Sequence, residues 1–194
     1  MKHKTELDFH RYFRTVQEED PYGHPRSVHN CRPFYDHALP WVTHASVQRS
    51  DTERSRQWRE QYGKPVVIDE CCYEGNIPER WGNISGPELM RRQWTALISG
   101  GWPGAHGETL YNDEEILWWS KGGSLTGEAP ARIAVMRQIL AGAPLMRLAP
   151  TDLWRRTPAL VAGDDYILAY LGFQRPASKQ IVLPAGRSYR VDVI

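Results

Sequence analysis

The sequence predicts an α/β chain built on a parallel sheet, followed by an antiparallel β module. Two patterns carry this prediction. From Thr5 to about residue 150, helical segments alternate with strand-like ones, the signature of parallel strands joined by right-handed crossovers. Beyond residue 150, short β runs are separated by turn signals and no long helix intervenes.

The elements follow in order. "TELDFHRYFRTVQEED" places Leu7, Phe9, Tyr12, Phe13 and Val16 at helical spacing, and Pro21 and Gly23 of "DPYG" stop it. "RSVHN" is a short first strand, and Trp41 to Val47 of "YDHALPWVTHASVQ" is a β-rich second. "SDTERSRQWREQYG" is a polar helix with Ser50 or Asp51 as cap and Gly63 as stop. "KPVVIDE" is a third strand. In "GPELMRRQWTALISGG", Leu89, Met90, Trp94, Leu97 and Ile98 share one helix face. "PGAHGETL" is a short fourth strand or strand end, and "PARIAVMRQIL" is another helix. "PALVAGDDYILAYLGF", "KQIVLPAG" and "SYRVDVI" read as hairpin strands, the last with no closing turn, which suggests a truncated module.

Composition narrows the class. A length of 194 residues suits one domain or slightly more. A net charge of +1 gives no electrostatic reason to expect nucleic acid or an anionic membrane. No apolar run reaches the roughly 18 residues of a membrane span, and "MKHKTELDFH" lacks a signal-peptide core. Eight Trp and nine Tyr are compatible with packing or with a sugar-stacking surface. Cys31, Cys71 and Cys72 form no disulfide framework, and no C-x-x-C spacing indicates zinc, so all three are expected to be buried thiols.

Polar clusters gather at the predicted strand tips: His29-Asn30, Thr43-His44, Asp69-Glu70 and His106 to Glu108. In βα architectures the carboxyl ends of strands are where chemistry is assembled. "KPVVIDE" shows this in one segment, an apolar body ending in two carboxylates. The plainer reading is that Asp69 and Glu70 cap a loop or pair with arginines. A metal-dependent hydrolase is a further alternative, because His29, His44, His106, Asp69 and Glu108 are nitrogen and oxygen donors. Neither H-x-H nor H-E-x-x-H spacing supports it.

"EEDPYGHPRSVHN", "FYDHALPWVTHASVQ", "YGKPVVIDECCYEGNIPERWGNISGPELMRRQWTALISGG" and "HGET" closely resemble the second half of a glycoside hydrolase-like family. That family is similar to glycoside hydrolase family five, in the retaining-glycosidase clan, and includes cellulase-like and domain-of-unknown-function members. The resemblance implies the C-terminal half of a (β/α)8 TIM barrel over residues 1–150. Part of an accessory β-sandwich is implied over residues 151–194. "RSVHN", "WVTHASV", "PVVIDE" and "GAHGE" would be barrel strands five to eight, with strands one to four and the Asn-Glu acid/base motif lying upstream.

The resemblance also implies roles. Glu70 matches the nucleophile at the tip of the seventh strand, with Asp69 as runner-up because strand neighbours point to opposite faces. Glu108 is a second catalytic candidate, able to bind hydroxyls or to influence Glu70. His29, Asn30, His44 and His106 would bind sugar hydroxyls; Tyr73 would bond the nucleophile, and Trp81 and Trp102 would stack on a sugar face. A carbohydrate substrate is implied, with no cofactor or metal. With the acid/base upstream, the chain alone is expected to be inactive, and a non-catalytic carbohydrate-binding or structural remnant is the alternative. An open half-barrel exposing Val28, Val42, Val66 and Ile68 would favour self-association. Localisation is not legible, since an upstream half would carry any signal peptide.

Overall fold

The computed structural model describes residues 4–29, 35–104, 107–113, 122–151, 157–172 and 178–194. Asn30, Cys31 and His106 lie outside the described residues.

The first helix, α1 (Glu6–Glu19), starts at a capping box. Asp8 N–H donates to Thr5 Oγ1 at 3.3 Å, and Thr5 N–H donates to Asp8 Oδ2 at 2.8 Å. The Thr5 N–H and the Thr5 hydroxyl, both donating to Asp8 Oδ2, hold the Asp8 carboxyl below its usual range. At the far end, Asp20 accepts from the backbone N–H groups of Tyr22 and His24, and Gly23 takes a positive φ of 62°. The stop at Pro21 and Gly23 is therefore a built turn. The apolar stripe of α1 buries Phe13 against Tyr35, with rings stacked 5.5 Å apart, and Val42 completes the cluster.

The central sheet is parallel, in the order β1 (Ala45–Gln48), β2 (Val66–Glu70), β4 (Trp102–Pro103). Two helices cover its inner face: α2 (Ser55–Tyr62) and α3 (Gly86–Ile98). Ala45 and Val47 of β1 and Val66 and Ile68 of β2 are buried with Trp58, Leu89 and Ala96. A strand buried on this scale reads as a near-continuous apolar run, as "PVVI" does. Gly63 ends α2 in the left-handed region at φ 63°, its N–H bonded to Arg59 O at 2.9 Å. Ser85 caps α3, accepting from Glu88 N–H.

Four strand expectations change. The second predicted strand begins only at Ala45, so Thr43 and His44 precede it and do not form its tip. "RSVHN" is not a strand over its described residues, Arg26 to His29. One backbone bond, Thr43 N–H to Arg26 O at 2.8 Å, is supplemented there by side chains: Arg26 N–H donates to Thr43 Oγ1, and Ser27 Oγ donates to His44 O while accepting from Ser46 N–H. "PGAHGETL" divides between two sheets. Trp102–Pro103 pairs with β2, whereas β5 (Glu108–Thr109) pairs in parallel with β3 (Glu74–Gly75). Finally, "KQIVLPAG" and "SYRVDVI" form no strands over residues 178–194, and Val191, Val193 and Ile194 are exposed. β propensity without a paired neighbour leaves such runs extended but unladdered.

A last helix, α4 (Ala129–Ala141), precedes an antiparallel meander of β6 (Ala149–Thr151), β7 (Ala159–Ala162) and β8 (Tyr166–Ala169). The meander rests on the helices. Leu160 is buried with Met90, Leu97, Ile98 and Met136, and Trp94 stacks on Tyr170 at 5.8 Å. Strand β6 begins before residue 151 and pairs with β7, so the meander and the α/β portion meet inside one ladder. No described helix is long and apolar enough to cross a membrane.

One buried group makes this fold sensitive to pH. His37 is fully buried between Tyr35 and Tyr62, and neither ring nitrogen has a hydrogen-bond partner. Burial, aided by the nearby Lys64 ammonium, pushes its pKa down from 6.5 to about 4. Below pH 6.5 the unfolded chain gains a proton that the folded one refuses. Unfolding free energy should thus be unaffected by His37 above pH 6.5 and fall by about 2–3 kcal/mol as pH drops through 4. Burial lowers His44 too, so it adds to the same slope. His37→Phe, which keeps the ring and removes the nitrogens, should flatten the slope in urea unfolding measured at stepped pH.

Candidate functional site

The site is built at the carboxyl end of β2. Up to Ile68 the β1–β2 ladder runs in register: Ala45 to Val66, Ser46 to Val67, Val47 to Ile68. Gln48 then pairs with Glu70, so Asp69 has no partner on β1. One extra residue on one strand is a bulge, and a bulge re-aims side chains. The strict alternation expected for Asp69 and Glu70 fails here, and both carboxylates reach the same imidazole. His29 Nδ1 lies 2.6 Å from Asp69 Oδ2, and its Nε2 lies 3.4 Å from Glu70 Oε2.

The polar face of the sheet supports this cluster. Ser46 alternates with the buried Ala45 and Val47, so it points away from the helices. Its hydroxyl donates to Asp69 Oδ2 in a short hydrogen bond. Asp69 Oδ1 is buried and without a partner. Asp69 and Glu70 side chains are 20% and 18% exposed, while His29 is 46% exposed, so the histidine is the most open member of the cluster. Gly104 lets β4 come close beneath them: a Cβ there would lie 2.6 Å from Asp69 Cα. Its N–H donates to Ile68 O at 2.7 Å.

After Glu70 the chain turns sharply. Cys72 has a φ of 77°, a left-handed conformation rare for a residue with a side chain. The turn is clamped from α3. Arg91 and Arg92 both bond Glu88, holding its carboxyl down at about 2, and Arg92 Nη1 donates to Cys71 O at 2.7 Å. The Cys71 thiol is pushed up to about 12 by burial, so it stays protonated and inert. Cys72 is only partly buried, in contrast to the expectation for all three thiols.

The remaining candidates separate. Tyr73 and Trp81 are brought together, edge to face at 6.0 Å, with Tyr73 N–H donating to Trp81 O. Trp102 sits beside Val67 in the ladder, and it and Trp81 are each 37% exposed. His44 contacts Thr43 Oγ1 through Nδ1 at 3.1 Å, and its backbone carbonyl binds Ser27. Among the described residues, no cluster of His, Cys, Asp and Glu has metal-binding geometry.

Glu108 lies in a different setting from the one expected of an acid at a strand tip. It is 1% exposed, and its two oxygens accept from Thr126 N–H at 2.8 Å and Gly127 N–H at 2.9 Å. Its neighbour across the β3–β5 ladder, Glu74, is also buried and accepts from Glu128 and Ala129 N–H at 2.8 and 2.9 Å. Together the pair satisfies four successive backbone donors entering α4. Glu74 and Ser46 are the residues that sequence reasoning missed. Ser46 was discoverable, as the one hydroxyl between two apolar residues of a strand; Glu74 was not, because its partners lie more than fifty positions away.

A family model described as a domain of unknown function (DUF5605) matches residues 154–194. No curated protein matches the sequence. Among solved structures, the chain is similar to a "putative glycoside hydrolase" from Bacteroides vulgatus ATCC 8482, at 35% identity and a TM-score of 0.78. That match covers 87% of this chain and 34% of the other, so the chain spans about a third of its length. A glycoside hydrolase family 5 structure from the same organism matches at 16% identity and a TM-score of 0.62, covering 84% of this chain and 46% of that one. The second likeness is one of fold alone. The mixed α/β fold of this chain is thus glycoside hydrolase-like.

The α4 clamp makes a separable prediction. Glu108→Gln turns one acceptor oxygen into a donor facing a backbone N–H, which should cost about 1–3 kcal/mol. Urea unfolding reads the loss. A substitution that left stability unchanged would contradict the clamp.

Proposed function

We propose that this chain is the C-terminal part of a retaining glycoside hydrolase, with Glu70 as its nucleophile. The observation that carries the reading is the bulged end of β2, which presents Glu70 beside Asp69 and His29 in a partly exposed cluster. The 35% identity to a glycoside hydrolase-like structure over most of this chain supports it. In this reading residues 1–150 are half of a (β/α)8 barrel, and residues 151–194 begin an accessory β-sandwich.

Retention of configuration needs two carboxyl groups about 5–5.5 Å apart. Glu70 attacks the anomeric carbon and forms a glycosyl ester. A second carboxyl, from barrel strands outside this chain, protonates the departing oxygen and later deprotonates water. The exposed rings of Trp81 and Trp102 offer flat faces to the sugar, and Asp69 stands beside Glu70. Glu108 stays out of the chemistry, since both its oxygens are occupied. Self-association stays part of this reading, though not through Val42, Val66 and Ile68, which are buried.

The longer enzyme carrying this chain tests the assignment. Glu70→Gln should abolish glycoside turnover while leaving circular dichroism unchanged, because attack requires an anionic oxygen. Retained activity would reject Glu70 as nucleophile. The purified 194-residue chain should show no turnover of a poor-leaving-group glycoside, since loss of a general acid alone forfeits about 10²–10⁴ in rate.

A further inference from the structure

His29 was expected to bind a sugar hydroxyl, yet both of its ring nitrogens are directed at carboxylates. Nδ1 is 2.6 Å from Asp69 Oδ2, and Nε2 is 3.4 Å from Glu70 Oε2. Nδ1 is committed to Asp69, and Nε2 faces Glu70 at ion-pair distance. We infer that His29 is a positioning residue, anchored by Asp69 and Ser46, that fixes the orientation of the Glu70 carboxylate. The inference rests on the reading of Glu70 as nucleophile.

The anchor comes first. Asp69 Oδ2 takes two bonds, from Ser46 Oγ and from His29. Ser46 is itself fixed, buried in β1 with its N–H on Ser27 Oγ. Ser46 can rotate its hydroxyl to donate, so Oδ2 is an acceptor, and the proton in the His29 contact sits on Nδ1. A contact of 2.6 Å has the length of a charge-assisted hydrogen bond. In an imidazole the bond made by one nitrogen sets the state of the other. With Nδ1–H committed to Asp69, Nε2 and Glu70 Oε2 face one another across a gap that needs one proton. A proton on Nε2 would bridge that gap, making both ring nitrogens donors toward carboxylates.

This arrangement divides the labour between the two oxygens of Glu70. Nε2 faces Oε2, which leaves Oε1 as the oxygen that attacks. As the Oε1–carbon bond forms, the bond to the leaving oxygen breaks, and that oxygen takes its proton from the general acid. The His29 proton does not move. Once Glu70 is an ester its negative charge is gone, and the Asp69 contact still anchors His29.

The spectroscopic test uses this chain. Histidine labelled with ¹⁵N should show His29 protonated on both Nδ1 and Nε2 in long-range ¹H–¹⁵N spectra. Glu70→Gln should move the Nε2 resonance and leave Nδ1 in place; Ser46→Ala, which spares both carboxylates, should weaken the Nδ1 protection from solvent exchange. A neutral His29 protonated on Nε2 alone would overturn the anchor, as would an Nε2 resonance unmoved by Glu70→Gln in a folded variant. The kinetic test uses the longer enzyme. His29→Gln should lower kcat about 10²-fold with little change in KM, the scale of a misplaced reacting group. A raised KM at unchanged kcat would instead return His29 to hydroxyl binding and overturn the inference. The expected spectra alongside an active Glu70→Gln enzyme would reject the nucleophile reading itself, leaving His29 a structural bridge.

Discussion

The bulge at Asp69 is the constraint on which the candidate site depends. Below it, β2 is an ordinary buried parallel strand, with Val66 and Ile68 turned to the helices. Had the ladder continued in register, Glu70 would follow Ile68 toward α2 and α3, where an unpaired carboxylate is costly. Skipping one partner brings Glu70 round to the face that already carries Ser46 and Asp69. Everything nearby stabilises that irregularity. Gly104 allows the close approach of β4, Cys72 adopts a left-handed turn, and the Arg92 guanidinium holds the carbonyl of Cys71. Residues in sparsely populated backbone regions persist when their surroundings over-determine them.

The chain uses paired acids twice, to opposite ends. Asp69 and Glu70 meet an imidazole and a hydroxyl, remain partly exposed, and leave Asp69 Oδ1 without a donor. Glu74 and Glu108 are buried and fully occupied by backbone N–H groups at the start of α4. The second pair matches the positive end of a helix macrodipole and its unsatisfied donors. An unsatisfied oxygen beside an exposed carboxylate marks a place where chemistry is open; four satisfied oxygens mark a fastening. Glu74 and Glu108 also tie the short β3–β5 ladder to α4, which in turn packs on α3 beneath the sheet.

Much of the scaffold was legible from local pattern. The α1 stop at Pro21 and Gly23, the Gly63 end of α2, the apolar face of α3 and the hairpin turn at "AGDD" all lie where short-range rules place them. These features depend on residues a few positions apart. "RSVHN" makes one backbone bond to the neighbouring segment, Thr43 N–H to Arg26 O, and Thr43 and Ser27 side chains take up the rest in place of a continued ladder. "SYRVDVI" failed because β propensity is realised only against a neighbouring strand.

By itself the sequence determined that an apolar strand would end in Asp69 and Glu70, that helices would cover its buried face, and that an antiparallel hairpin would follow. Tertiary structure alone decided which carboxylates stay accessible. Glu108 and Glu70 look alike in the sequence, each an acid at the end of a short β segment. What separates them is the partner each one meets: backbone donors at residues 126 and 127 for Glu108, and the imidazole of His29 for Glu70. Hydrogen-bond satisfaction of a buried charge is a property of contacts across tens of residues, and no local pattern encodes it.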